Sequence, residues 1–151
     1  ENILEKVYSY SKRNSTIFGL AIIDLDWFKA INDIYGHYAG DALLQEISLR
    51  FQDCIRAEDT IARIGGDEFA FIFHIGTIKE PYEKIIDRLL QEASKIVVFD
   101  GNIKLQVSAS IGISFYSKDN DVDTKTLQKQ ADQDMYLSKT KGKNCFTVFD
   151  T

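Results

Sequence analysis

The sequence predicts an α+β fold, a central, mainly antiparallel sheet covered by helices, and three observations carry that prediction. Apolar runs of strand length, Ile17 to Ile23 and Phe69 to Ile75, are separated by helical patterns of about 16 residues. The pair Gly65-Gly66 joins two strand-like runs with no room for a crossover, so those strands form a hairpin, glycine tolerating the positive φ of a tight turn. Leu105, Val107, Ala109, Ile111, Ile113 and Phe115 alternate with mostly small or polar residues, the period of a strand. A chain of 151 residues is long enough for one proper core, so residues 1–151 read as a single domain.

Ile3, Leu4, Val7 and Tyr8 recur at helical spacing in a leading helix that ends near Asn14. Glu1 already lies inside this pattern, as it would in a piece cut from a longer multidomain protein. The strand Ile17 to Ile23 stops at Asp24-Leu25-Asp26, and Trp27 to Asn32 reads as a short helix with Gly36 to end it. Leu44, Ile47, Phe51 and Ile55 mark an amphipathic helix over Asp41 to Arg56. Thr60 to Ile64 is a short strand leading to the glycine hairpin, and Phe69 to Ile75 is buried on both faces apart from His74. Pro81 suits a first helical turn, with Tyr82, Ile85, Ile86, Leu89, Ala93 and Ile96 lining one face of the helix. Lys118 to Asp123 is a polar loop. Leu127, Ala131 and Met135 run at helical spacing until Gly142, and Cys145 to Phe149 closes the chain as a strand.

Hydrophobic residues make up 44% and charged residues 27% of the chain, ordinary values for a globular protein. A net charge of −5 argues against a nucleic-acid binder, yet leaves room for a small phosphorylated ligand that needs only local positive charge. Cys54 and Cys145 form no disulfide framework, which fits a reduced, cytoplasmic compartment, and Cys54 falls on the apolar side of its helix. No apolar run approaches membrane-spanning length, so this domain itself would not insert, although it could belong to a membrane-anchored sensor.

Two acidic sites carry the chemistry. Asp67 and Glu68 follow the hairpin glycines at once, and adjacent like charges repel unless a cation resolves the repulsion. Alone, this is an ordinary solvated acidic turn. The second site changes the balance: Asp24 ends a strand that feeds straight into a helix start, where free N–H groups can hold phosphate oxygens. If the two strands are neighbours, the acids converge and can hold Mg²⁺ while leaving positions for substrate phosphates. Nucleotidyl cyclases and polymerase palms, with their ferredoxin-like core, use such an arrangement for attack of a hydroxyl on an α-phosphate.

The residues carry a family resemblance. Gly65-Gly66-Asp67-Glu68-Phe69 is an intact signature, and Asp24 to Asp33, Tyr35-Gly36-His37 and Gly40-Asp41 extend the match. So do Ser110 to Ile113, Ala131-Asp132, Met135-Tyr136, Lys139 and Gly142-Lys143-Asn144. In these motifs the chain resembles the GGDEF domain of diguanylate cyclases, which condense two GTP molecules into cyclic di-GMP. The family's leading Leu-Thr and Asn-Arg elements are missing.

The resemblance implies Mg²⁺, or Mn²⁺ in its stead, held by Asp24, the Leu25 carbonyl and Asp67. Glu68 would help hold metal or assist removal of the 3′-hydroxyl proton. The backbone at Trp27, Phe28 and Lys29 would receive terminal phosphates beside Gly65 and Gly66, with Lys139 and Lys143 as the basic pair. The family more commonly has arginine at the second position, and lysine supplies charge without a bidentate fork. Both lysines could instead complement a helix C-terminus. Asn32 and Asp41 would read guanine, whose adjacent N1–H and N2–H₂ donors one carboxylate can accept together. A branch that also accepts ATP has serine at the Asp41 position, so aspartate favours GTP.

Arg56-Ala57-Glu58-Asp59, five residues before Gly65, matches the family's Arg-x-x-Asp inhibitory product site, with Arg88 as a further arginine. The plainer reading is an ion pair on an exposed corner. His37 and His74 read as packing or hydrogen-bonding residues. The implied protein is a homodimeric enzyme, one GTP per subunit, fused to a sensor or regulatory domain. Two rivals are a GTP-binding regulatory module without turnover and a cyclic di-GMP receptor.

Overall fold

The computed structural model describes residues 2–75 and 81–150; Glu1, which the periodicity puts inside the leading helix, lies outside them. Helix α1 (Asn2–Asn14) precedes the central strand β1 (Ile17–Asp26). Helices α2 (Phe28–Tyr35) and α3 (His37–Cys54) follow, then the hairpin of β2 (Thr60–Gly65) and β3 (Glu68–Ile75). Helix α4 (Tyr82–Ser94) leads to the short strands β4 (Val97–Phe99) and β5 (Ile103–Leu105). Strand β6 (Ser108–Tyr116), helix α5 (Thr124–Thr140) and strand β7 (Cys145–Val148) complete the fold.

Five strands form one sheet in the order β2-β3-β1-β6-β7. All pairs are antiparallel except β6 with β7, which run parallel. The predicted α+β class therefore holds. Residues two apart on β1 share a face, so Ala21, Ile23 and Leu25 join Phe69, Phe71 and Phe73 under α2, α3 and α4. Leu20 and Ile22 point the other way and pack with Leu127, Ala131 and Met135 of α5.

The small residues that alternate along β6 serve that second face. A Cβ on Gly112 would lie 2.0 Å from the Ala131 carbonyl oxygen and 2.1 Å from the Met135 nitrogen. Ser114 donates to the Leu127 carbonyl at 2.8 Å, and Ser138 of α5 donates to that of Ile111 at 2.8 Å. What looks like a polar face is the seat of a helix brought close to the sheet.

Several boundaries differ from the sequence pattern, each for a physical reason. Strand β1 does not stop at Ile23: Asp24, Leu25 and Asp26 stay paired with Ser110, Ala109 and Ser108 of β6. The hairpin turns on Gly66 and Asp67, not on the two glycines; Gly65 is the last residue of β2 and only Gly66 has positive φ, +46°. Helix α3 begins four residues before Asp41, and α4 stops at Ser94, leaving Ile96 exposed and Pro81 just ahead of it. The run from Leu105 to Phe115 is two strands. β4 and β5 form a separate two-stranded ribbon that the apolar pattern of the longer strand concealed.

Candidate active site

Backbone pairing brings the two acidic sites together. Asp24 lies directly opposite Glu68 on β3 and opposite Ser110 on β6. The Leu25 N–H donates to the Asp67 carbonyl at 3.1 Å, clamping the hairpin turn to the end of β1. Lys139, near the end of α5, puts its Nζ 3.3 Å from Asp24 Oδ2 and 2.8 Å from Asp26 Oδ1.

Asp24 Oδ1 is buried with no hydrogen-bond partner among the described residues, a costly state for a carboxylate. Burial, and then the neighbouring Asp67 carboxylate, push the Asp24 carboxyl up to about 6 against the pull of Lys139. Burial also raises Glu68, with Asp132 and Asp67 adding to the shift. A divalent cation suits this set: it would take up the orphaned oxygen and offset the repulsion. No three His, Cys, Asp or Glu side chains among the described residues gather into a ready cage. The residues present thus fit an ion that substrate oxygens help to coordinate.

Trp27 precedes α2 with φ of +71°, and among the described residues no side chain caps the helix start. The N–H groups that open α2 are therefore unclaimed by a cap, beside the acids and Lys139, as an anion site requires. Lys143, half-buried, holds its Nζ 4.7 Å from the centroid of the exposed Trp27 ring. Lys139 lies in the last turn of α5, but its ammonium is turned to Asp24 and Asp26. The half-buried Asn32 lies against Gly40, where a Cβ would stand 1.9 Å from Asn32 Oδ1. Gly40, in the first turn of α3, thus makes room for the Asn32 side chain one residue ahead of Asp41. Asp41 borders a cleft of about 520 Å³ with Leu44, Gln45 and, from β2, Arg63. A larger groove of about 650 Å³ lies over the opposite sheet face. Glu68 reaches its edge, and neither of these two cavities is lined by Asp24, Lys139 or the start of α2.

Sequence reasoning gave Asp26 no task. It shares the face of Asp24, two residues on, a relation hidden by ending the strand at Ile23. Its fully buried carboxylate accepts from Ser108 at 2.5 Å, Ser110 at 2.7 Å, Lys139 at 2.8 Å and the Asn144 N–H at 3.1 Å.

Arg56 and Asp59 lie at the other end of β3, where Asp59 Oδ1 accepts the His74 N–H at 3.2 Å. The pair is not the exposed corner that the sequence suggested. The Asp59 side chain is 0% exposed and that of Arg56 14%, and the two meet through Nε at 2.6 Å and Nη2 at 3.2 Å. Nη2 also donates to the His74 carbonyl at 3.0 Å. A bidentate pair that also bonds the backbone of β3 is a structural clamp between the end of α3 and the sheet. Arg88 meets the same end of α3, donating to the Cys54 carbonyl at 2.9 Å. No helix in the described residues is long and apolar enough to cross a membrane.

Comparison with known proteins agrees with this geometry. The family model described as the diguanylate cyclase GGDEF domain matches residues 1–145. The bifunctional diguanylate cyclase/cyclic di-GMP phosphodiesterase MucR of Pseudomonas aeruginosa is 36% identical over 98% of the chain and 21% of its own length. Diguanylate cyclase A of Treponema denticola is 34% identical over 97% of the chain and 39% of its own length. The chain therefore spans about a fifth to two-fifths of these curated relatives. Among solved structures, the GGDEF domain of PA1120 (YfiN or TpbB) of Pseudomonas aeruginosa superimposes with a TM-score of 0.88 at 26% identity, covering 99% of this chain and 92% of that one.

Two predictions follow from the charges. A carboxyl raised in the folded state costs stability above its raised value, and the cost fades as pH falls through about 6 towards the ordinary 3.8. Asp24→Asn should therefore raise the melting temperature of the metal-free domain near pH 7.5, with a gain that shrinks towards pH 4. Arg56→Ala should lower stability in urea by about 3 kcal/mol, because it strands the buried Asp59 carboxylate; an exposed pair would lose under about 1 kcal/mol.

Proposed function

The chain belongs to the diguanylate cyclase GGDEF domain family, and on that premise we propose that it joins two GTP molecules into cyclic di-GMP, releasing two pyrophosphates. The observation that carries this is the Asp24 carboxylate, orphaned at one oxygen, beside Asp67 and Lys139 and in front of the uncapped α2. Asp24, the Leu25 carbonyl and Asp67, with help from Glu68, would hold Mg²⁺, and Mn²⁺ has the same oxygen ligands available. Such an ion, when bound, offsets charge on the phosphates as the α-phosphorus is attacked.

The protein's own groups do the rest. The backbone of Trp27, Phe28 and Lys29 receives the terminal phosphates, with Gly65 and Gly66 allowing close approach of the hairpin. Lys139 and Lys143 balance charge on the leaving pyrophosphate. Asn32 and Asp41 accept the guanine donors. The 3′-oxygen of one GTP forms the new bond to the α-phosphorus of the other while the bond to the β-phosphate oxygen breaks. Glu68, whose carboxyl burial raises above its ordinary value, takes the hydroxyl proton as the base in its ionised form. One domain holds one GTP, so catalysis requires a two-fold homodimer. GTP as substrate fits a cytoplasmic site of action, within a longer protein whose fused domain supplies the signal.

Product inhibition through Arg56, Asp59 and Arg88 belongs to the same proposal, in a form the clamp dictates. Nε and Nη2 of Arg56 are engaged, whereas no described residue engages Nη1. Cyclic di-GMP would add to the pair from outside through Nη1 instead of replacing Asp59.

Formation of cyclic di-GMP from GTP and Mg²⁺, followed chromatographically against protein concentration, tests the proposal. Specific activity should rise with concentration or on fusion to a dimerising coiled coil, and Asp67→Asn should abolish it. Asp41→Ser should cost about 1–3 kcal/mol of GTP-over-ATP discrimination. A proven monomer with full specific activity would overturn the shared-site mechanism, and a forced dimer without turnover would leave a GTP-binding module.

A further inference from the structure

We propose that Asp26 is the positioning residue of the phosphate site: it fixes Lys139 and the turn carrying Lys143 together, so that both cations meet the leaving pyrophosphate. The proposal rests on the cyclase reading for its consequence, and on four hydrogen bonds for its geometry. Asp26 Oδ1 accepts from Ser110 at 2.7 Å and Lys139 at 2.8 Å, and Oδ2 from Ser108 at 2.5 Å and the Asn144 N–H at 3.1 Å. Every donor but Lys139 is held by main chain: two hydroxyls sit on β6, and one N–H lies just ahead of β7. The carboxylate is 0% exposed and therefore cannot turn to solvent as an alternative.

The need for such a residue follows from Asp24. Lys139 touches both acids, at 3.3 Å from Asp24 Oδ2 and at 2.8 Å from Asp26 Oδ1. A cation taken up at the orphaned Oδ1 would draw on the same carboxylate and weaken the longer of the two restraints on the ammonium. Asp26 is then the firmer restraint, leaving a further Nζ proton to point at a phosphate oxygen. A long, flexible lysine without it would lose orientation just as substrate arrives.

The same carboxylate controls the second cation. Lys143 and Asn144 are consecutive non-glycine residues with φ of +67° and +52°, a conformation that needs support from outside the turn. The bond from the Asn144 N–H to Asp26 supplies it, and the bond from the Lys143 N–H to the Ser138 carbonyl, at 3.0 Å, ties the turn back to α5. Lys143 thereby stands over Trp27 at the mouth of α2. Removing Asp26 would release both lysines at once.

Calorimetric binding of Mg²⁺-pyrophosphate to the folded domain tests this directly, alone and in a double-mutant cycle. Asp26→Asn should weaken binding by about 10- to 100-fold, as loss of a supporting partner does, and lower turnover in parallel. In Asp26→Asn/Lys139→Met the loss should fall well short of the product of the two single losses, because Asp26 acts largely through Lys139. Should Asp26→Asn not fold, Ser108→Ala/Ser110→Ala carries the same cycle with a smaller loss in the same direction. Losses that multiply, an Asp26→Asn variant that binds like wild type, or a wild type that does not bind pyrophosphate would each overturn the proposal. A wild type that binds pyrophosphate but makes no cyclic di-GMP would sink the cyclase reading, while the cycle still decides the role of Asp26.

Discussion

Backbone pairing on both sides of β1 fixes Asp24 between Glu68 and Ser110, and the site depends on that constraint. A carboxylate on a flexible loop would swing into water and ionise at its ordinary value. One held in the middle of a five-stranded sheet cannot, so burial and then Asp67 raise it to about 6 against the pull of Lys139. The fold thus stores an electrostatic deficit at one end of its sheet, which a cation with phosphate ligands can relieve. Rigidity of the core is what makes the deficit specific: Phe69, Phe71 and Phe73 anchor β3 against Ile23 and Leu25 beneath α3.

The opposite face explains why Lys139 can reach that deficit. Serine and glycine on β6 let α5 approach closely enough for main-chain contact at Gly112 and for serine bonds at both ends. A larger residue at position 112 would lift α5 and carry Lys139 away from Asp24 and Asp26. Packing on one face and charge on the other end of the same strand are therefore one design. Two short residues, Gly40 against Asn32 and Gly112 against α5, place polar groups that their own neighbours could not place.

Much of this was legible beforehand, because the informative residues are local. The hairpin acids, the strand-to-helix step at Asp24 and the long motif matches lie in contiguous stretches, and the α+β class follows from apolar periods. What stayed hidden depends on contacts between distant segments. Asp26 could be recognised only once β1 was known to continue, since its four donors come from residues 108–144. Arg56 and Asp59 look like a surface pair in sequence, because nothing local tells that the end of β3 closes over them. The β4–β5 ribbon was lost because β5 shares the alternation of β6 and hides the break at Gln106.

The claim at the centre is that this end of the sheet is electrostatically incomplete until a divalent cation arrives with phosphate ligands. Thermal denaturation across a Mg²⁺ titration, with GTP present near pH 7.5, tests it most directly. The account predicts that the melting temperature of the wild type climbs with Mg²⁺, as it must for a ligand that binds only the folded state, and that Asp24→Asn removes most of the climb. An equal climb in both proteins, or none in the wild type, would contradict it.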